Sequence, residues 1–197
     1  MREVAEDFLK ALTHDEDPHQ KFVFISYRRV TADQELIRTI YERLNQHFGD
    51  GTIFLDEETI SPGAYWETFI KDQIKSCFFM LVIIDEDWLN YRQEHRKRSI
   101  DLREDYVRLE IQLALNAHLI MIPTLIDQAD MPTAEQLPPS IKRLAEHQAF
   151  RVHSDSSLHP DLDRLIQVID DTMDTSVSET WKVTGIIPQS EIGDGSD

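Results

Sequence analysis

"FFMLVIID", residues 78–85, is the stretch on which the fold turns. Seven apolar residues run without a break and end on a carboxylate. A strand with one wet face alternates apolar and polar residues, whereas an unbroken run of this kind marks a strand covered on both faces, as in a parallel sheet between two layers of helices. Upstream, "AYWETFIKDQIKS" (64–76) has helical spacing, "EETISPG" (57–63) is a loop marked by Ser-Pro-Gly, and "TIFLD" (52–56) is a short strand. From Ala32 to Phe48, Leu36, Ile37, Ile40, Tyr41 and Leu44 recur at three and four, and "GDG" (49–51) closes that helix. "KFVFISY" (21–27) is the first strand. Downstream, a long charged connection "RQEHRKRSIDLRED" (92–105) leads into the helix "DYVRLEIQLAL" (105–115). "LIMIPTLI" (119–126) is a fourth buried strand, in which Pro123 implies a local irregularity. After the proline-rich loop 127–140 come a short helix "IKRLAEHQ" (141–148), a fifth strand "AFRVH" (149–153) and a last amphipathic helix "DLDRLIQVIDDTM" (161–173).

Strand and helix thus alternate five times, which predicts an α/β three-layer fold with a parallel sheet and right-handed crossovers. Residues 1–20 read as an N-terminal extension and linker, 21–173 as the domain, and 174–197 as a polar, flexible tail without periodicity. A chain of 197 residues with 41% hydrophobic content suits one such domain with a full core. The formal net charge of -17 argues against direct binding of nucleic acid or an anionic membrane, both of which need a basic surface. A single cysteine, Cys77, excludes an intrachain disulfide framework and fits the reducing cytoplasm. "MREVAEDFLKAL" is charged throughout and does not read as a signal sequence, and no apolar run is long enough to span a bilayer.

In open parallel sheets ligands bind beyond the carboxyl ends of the strands. Those ends carry "SYRR" (26–29), "DEE" (56–58) and "DED" (85–87). There is no glycine-rich dinucleotide fingerprint, no P-loop and no Gly-x-Ser-x-Gly elbow, and the eight histidines show no metal-ligand spacing. A response-regulator reading could use Asp85 as phosphoacceptor, but the fifth strand ends "RVHSD", without the lysine that chemistry wants.

The helix 105–115 holds the oddest residue. At about 100° per residue, Val107, Ile111, Ala114 and Leu115 form one apolar stripe, and Glu110 lies at its edge. Its neighbours at three and four are Val107, Leu113, Tyr106 and Ala114, so no local ion pair is available to it. From the helix pattern alone, Glu110 reads as one half of a buried ion pair with a distant Arg28 or Arg29, or as a carboxylate kept for chemistry.

"FVFISYRR", "FLDEETISPG", "EDWLNY" and "DYVRLEIQLAL...IMIPTLID", in this order from about Phe22 to Phe150, resemble a TIR (Toll/interleukin-1 receptor/resistance protein) domain of the bacterial type. The resemblance implies a flavodoxin-like five-stranded parallel sheet of order 2-1-3-4-5. It implies that "DEETISPG" is the BB loop, with Ile60, Ser61, Pro62 and Gly63 serving assembly. It also implies that Glu110 is the catalytic glutamate of an NAD+ hydrolase (nucleosidase or cyclase) that cleaves the nicotinamide–ribose bond. Ser26, Tyr27, Arg28, Arg29, Asp56 and Trp88 are the substrate-binding candidates: an arginine for the diphosphate, Trp88 for stacking a base. NAD+ is then substrate, with no cofactor and no metal. The partners implied are other TIR domains by self-association and a separate sensor or activator protein, in a cytoplasmic anti-phage setting. The alternative is a non-catalytic adaptor that only binds other TIR domains; the glutamate on the third helix favours the enzyme, and the product stays open between ADP-ribose, a cyclic isomer and base exchange.

Overall fold

In the computed structural model, which describes residues 22–55, 66–92 and 97–184, the run that began the sequence reading is strand β3, Phe79–Ile84, and all six of its residues are buried. It pairs on one side with β1 (Val23–Ser26) and on the other with β4 (Ile120–Ile126). β2 (Ile53–Leu55) flanks β1 and β5 (Phe150–Val152) flanks β4. All pairings are parallel and the order is β2-β1-β3-β4-β5, as the resemblance implies.

Each strand residue faces the side opposite to its neighbour. Phe24, Met80, Val82 and Ile84 turn toward helices α2 (Trp66–Lys75) and α3 (Tyr106–Asn116) and join Ile70, Ile74, Val107 and Ile111 in one apolar cluster. The other face is covered by α1 (Gln34–Phe48), whose buried residues are Leu36, Ile37, Ile40 and Leu44. Asp33 caps the start of α1 by accepting from the amides of Glu35 and Leu36, and Gly49, at φ 101°, turns the chain at its end. Tyr41, counted with the apolar positions, is only half-buried.

Three local expectations change. Pro123 causes no irregularity: it sits in register opposite Val82, and the ladder to β5 begins only at Thr124, so β4 has an open side at the proline. "IKRLAEHQ" forms a 3-10 turn, Lys142–Glu146, with no side-chain cap at its start. The last helix, α4, begins at Leu158 and continues to Thr184. Pro160 is tolerated because first-turn amides have no helical partner in any case. Backbone hydrogen bonds carry the helix through residues 174–184, where the sequence reading placed the start of a tail, because helical pairing needs no apolar stripe. The chain divides into two compact units, one of them His19–Asp163. The sheet and every site residue discussed below lie in that unit. The N-terminal extension 1–20 and residues 185–197 lie outside the described residues.

Leu81, fully buried at the centre of the sheet, reads out this core. Leu81→Ala should cost about 2–5 kcal/mol of stability in chemical denaturation, and a loss below 1 kcal/mol would show that β3 is not packed on both faces.

Candidate active site

Ser26 is the last residue of β1 and stands two places beyond Phe24, so it faces α3. Glu110 follows Val107 by three and precedes Ala114 by four, which puts it on the buried stripe of α3. The two side chains meet: Ser26 Oγ donates to Glu110 Oε2 at 2.6 Å. Glu110 is 2% exposed and Ser26 fully buried. A carboxyl group in such a place is costly unless hydrogen-bonded, and the Ser26 hydroxyl supplies such a bond.

The cation supplied by the strand end takes a different partner. Arg28 donates from Nη1 and Nη2 to Oδ2 and Oδ1 of Asp105, at 2.8 and 3.2 Å, and from Nε to the carbonyl of Trp88 at 3.2 Å. Its guanidinium lies 5.4 Å from the centre of the Tyr91 ring. Asp105 is also the N-cap of α3 and accepts from the amide of Arg108 at 3.0 Å. Arg28 and Asp105 therefore form the buried ion pair that the sequence reading offered to Glu110.

This geometry reassigns several candidates. Arg28 is 5% exposed and each of its three nitrogens donates to a protein oxygen, so it does not suit the role of diphosphate ligand; of the two arginines only Arg29, half-buried, keeps appreciable surface in solvent. Trp88 has no exposed surface and packs in the apolar cluster, where its ring cannot stack a base; its Nε1–H has no partner among the described residues. The Trp88 amide donates to the Asp85 carbonyl at 3.2 Å in the turn that follows β3, and the ring beyond it is part of the core. Tyr27 is buried, and Ser26 is turned to Glu110. Asp56, Ile60, Ser61, Pro62 and Gly63 lie outside the described residues. Two residues not singled out in the sequence enter the site. Asp105 was legible as an N-cap before the helix, though not as the partner of an arginine 77 positions away. Tyr106, four residues before Glu110 at the start of α3, exposes 60% of its surface, whereas Trp88 exposes none.

The second strand-end cluster is different in kind. Thr31 Oγ donates to Asp85 Oδ2 at 2.7 Å, and the amide of Asp87 donates to Asp85 Oδ1 at 2.9 Å, so the would-be phosphoacceptor holds its own turn. Asp85 lines a depression of about 220 Å³ together with Asp33, Glu86, Asp87 and Asp127, and among the described residues no Lys or Arg lines it. Such a lining repels a diphosphate. Glu110 is not part of it. Among the described residues no cluster of His, Cys, Asp and Glu could hold a metal ion, and no helix is long and apolar enough to cross a membrane.

Fold and site together define a doubly wound α/β domain with a buried carboxylate on its third helix, near the end of its first strand. A family profile described as the TIR domain matches residues 23–168, and the chain belongs to that family. A protein of Drosophila melanogaster named NAD(+) hydrolase sarm1 is 26% identical over 123 residues, which is 62% of this chain and 8% of that protein; the chain thus spans a small part of this relative's length. The TIR domains of the activated Roq1 resistosome, which directly recognises the pathogen effector XopQ, cover 76% of this chain and 99% of theirs at a TM-score of 0.58 and 12% identity. A metazoan TIR-STING receptor from C. gigas covers 78% of this chain and 41% of its own at a TM-score of 0.48 and 19% identity.

Asp127 gives the acidic rim a pH signature. The Ser154 hydroxyl and amide, at 2.6 and 2.7 Å, hold its carboxyl below the ordinary 3.8. A lowered carboxyl pKa stabilises the fold in full above the ordinary value, and that stabilisation is lost as the pH falls below it toward the lowered pKa. Ser154→Ala should move the Asp127 titration upward in a carboxyl-detected NMR experiment, and an unmoved titration would remove the Ser154 bond as the cause.

Proposed function

We propose that this domain cleaves the nicotinamide–ribose bond of NAD+, with Glu110 as the catalytic carboxylate. The observation that carries this reading is a buried Glu110 that accepts the Ser26 hydroxyl while Arg28 is bound to Asp105. The relative named as an NAD(+) hydrolase supports the same substrate. Nicotinamide leaves as a neutral base from a cationic sugar linkage, so no acid is needed to expel it. The transition state places positive charge on the ribose. A carboxylate held beside that sugar in a dry cleft stabilises the developing charge, much as carboxylates do in glycoside hydrolysis. NAD+ enters as substrate and the chemistry needs no further cofactor. Arg29 faces the diphosphate, and Tyr106 offers the exposed ring for a base. A role in cytoplasmic anti-phage defence, with a separate sensor or activator protein, is what the resemblance implies.

The same reading includes assembly. A TIR site completed by a neighbouring copy depends on self-association, and a head-to-tail contact with free ends grows as an open filament. The adaptor reading shares the assembly and differs on Glu110.

Glu110→Gln should abolish nicotinamide release while leaving the melting temperature in place, a loss of about 3–4 kcal/mol in transition-state stabilisation. Near-normal turnover in that variant would favour the adaptor. Specific activity should rise with protein concentration as copies associate. A dilute monomer, verified by light scattering, that matched the concentrated protein would remove assembly from the mechanism and leave Glu110 untouched.

A further inference from the structure

Arg28 stands two residues beyond Ser26, and Asp105 stands five residues before Glu110. Two residues of extended chain span about 6.6 Å, and five residues of helix rise about 7.5 Å. The spans match, and the contacts are crossed in order: Ser26 with Glu110, Arg28 with Asp105. Helix α3 therefore runs back along the end of β1 and is held to it at two points, about a turn and a half apart. Resting on the proposed role of Glu110, we infer that Arg28 is a positioning residue: through Asp105 it fixes the start of α3, and with the Ser26 hydroxyl it sets where the Glu110 carboxylate stands.

The bonds on Asp105 explain why the start of α3 cannot drift. Oδ1 accepts both the Arg108 amide, at 3.0 Å, and Arg28 Nη2, at 3.2 Å, while Oδ2 accepts Arg28 Nη1 at 2.8 Å. The helix cap and the ion pair are thus one carboxylate, and turning α3 about its axis breaks both. The third nitrogen of Arg28 holds the Trp88 carbonyl, and Tyr91 lies against the guanidinium, so the loop after β3 is tied to the same point. Side-chain exposures of 5% for Arg28 and 6% for Asp105 keep water from competing for the pair. A planar fork that makes paired bonds to one carboxylate and a third to a carbonyl is not replaceable by a point charge.

Steady-state NAD+ cleavage by the full chain separates this role from diphosphate binding. Arg28→Lys keeps the charge and loses the fork. Asp105→Asn keeps a good helix cap and loses the charge. Each should lower kcat by about ten- to a hundredfold, as a small misplacement of a catalytic group does, with KM within about twofold of the parent. The double variant should be no slower than the slower single one, because both changes release the same contact. A raised KM with unchanged kcat in Arg28→Lys means that the arginine binds substrate and overturns the inference, as do additive losses in the double variant. Should Arg28→Lys not fold, Asp105→Asn carries the same kcat-against-KM comparison. If the parent chain shows no cleavage that Glu110→Gln removes, the NAD+ reading fails, and the clamp is judged by amide exchange. Asp105→Asn should then speed exchange of the first-turn amides of α3, Arg108 and Leu109, and leave that of β3 unchanged. Unaltered exchange at those amides overturns the clamp whatever the activity.

Discussion

Burial of β3 on both faces is the constraint from which the rest of this domain follows. A strand with no wet face needs apolar cover above and below, so helices must lie on both sides of the sheet. Parallel strands need crossover connections, and those crossovers are the helices. With both faces and most of each strand committed to packing, room for polar chemistry lies chiefly beyond the strand ends. Near the end of β1 the structure brings together four side chains with little solvent exposure, Ser26, Arg28, Asp105 and Glu110.

The two acidic neighbourhoods at this edge are unlike because of what surrounds them. Glu110 is enclosed, bonded to a serine and close to a tethered arginine pair, so a charge that develops beside it meets little competing water. Asp85 and Asp127 are held by short-range turn contacts with Thr31 and Ser154 and sit on an open, carboxylate-lined depression. An enclosed carboxylate can stabilise a cationic sugar. A cluster of solvated carboxylates that cap their own turns does structural work and discourages anionic ligands. The position of a carboxylate relative to the sheet, more than its presence at a strand end, decides which of these it does.

Helix α3 carries two jobs that pull against each other. Its stripe of Val107, Ile111, Ala114 and Leu115 closes the core, and Glu110 interrupts that stripe with a charge. The Ser26 hydroxyl offsets part of the cost of burying it. Across the same helix start, Arg28 and Asp105 neutralise one another rather than Glu110.

The sequence by itself determined the layering, the strand order through its motifs, and the oddity of Glu110. The layering and the oddity of Glu110 are written in local periodicity, which depends only on the backbone repeat of helix or strand, whereas the strand order was implied only by the resemblance of the motifs. The cap role of Asp105 was equally local. What the tertiary structure decided was partnership. Ser26 and Glu110 are 84 positions apart, and Arg28 and Asp105 are 77 apart. Nothing in the spacing says which of two nearby carboxylates an arginine will take. Trp88 shows the same limit, since its place after β3 was legible while its full burial was set by the packing of Ile84, Ile100 and Val107 in the cluster it joins. Helix α4 continues to Thr184, past the amphipathic stretch that ends at Met173.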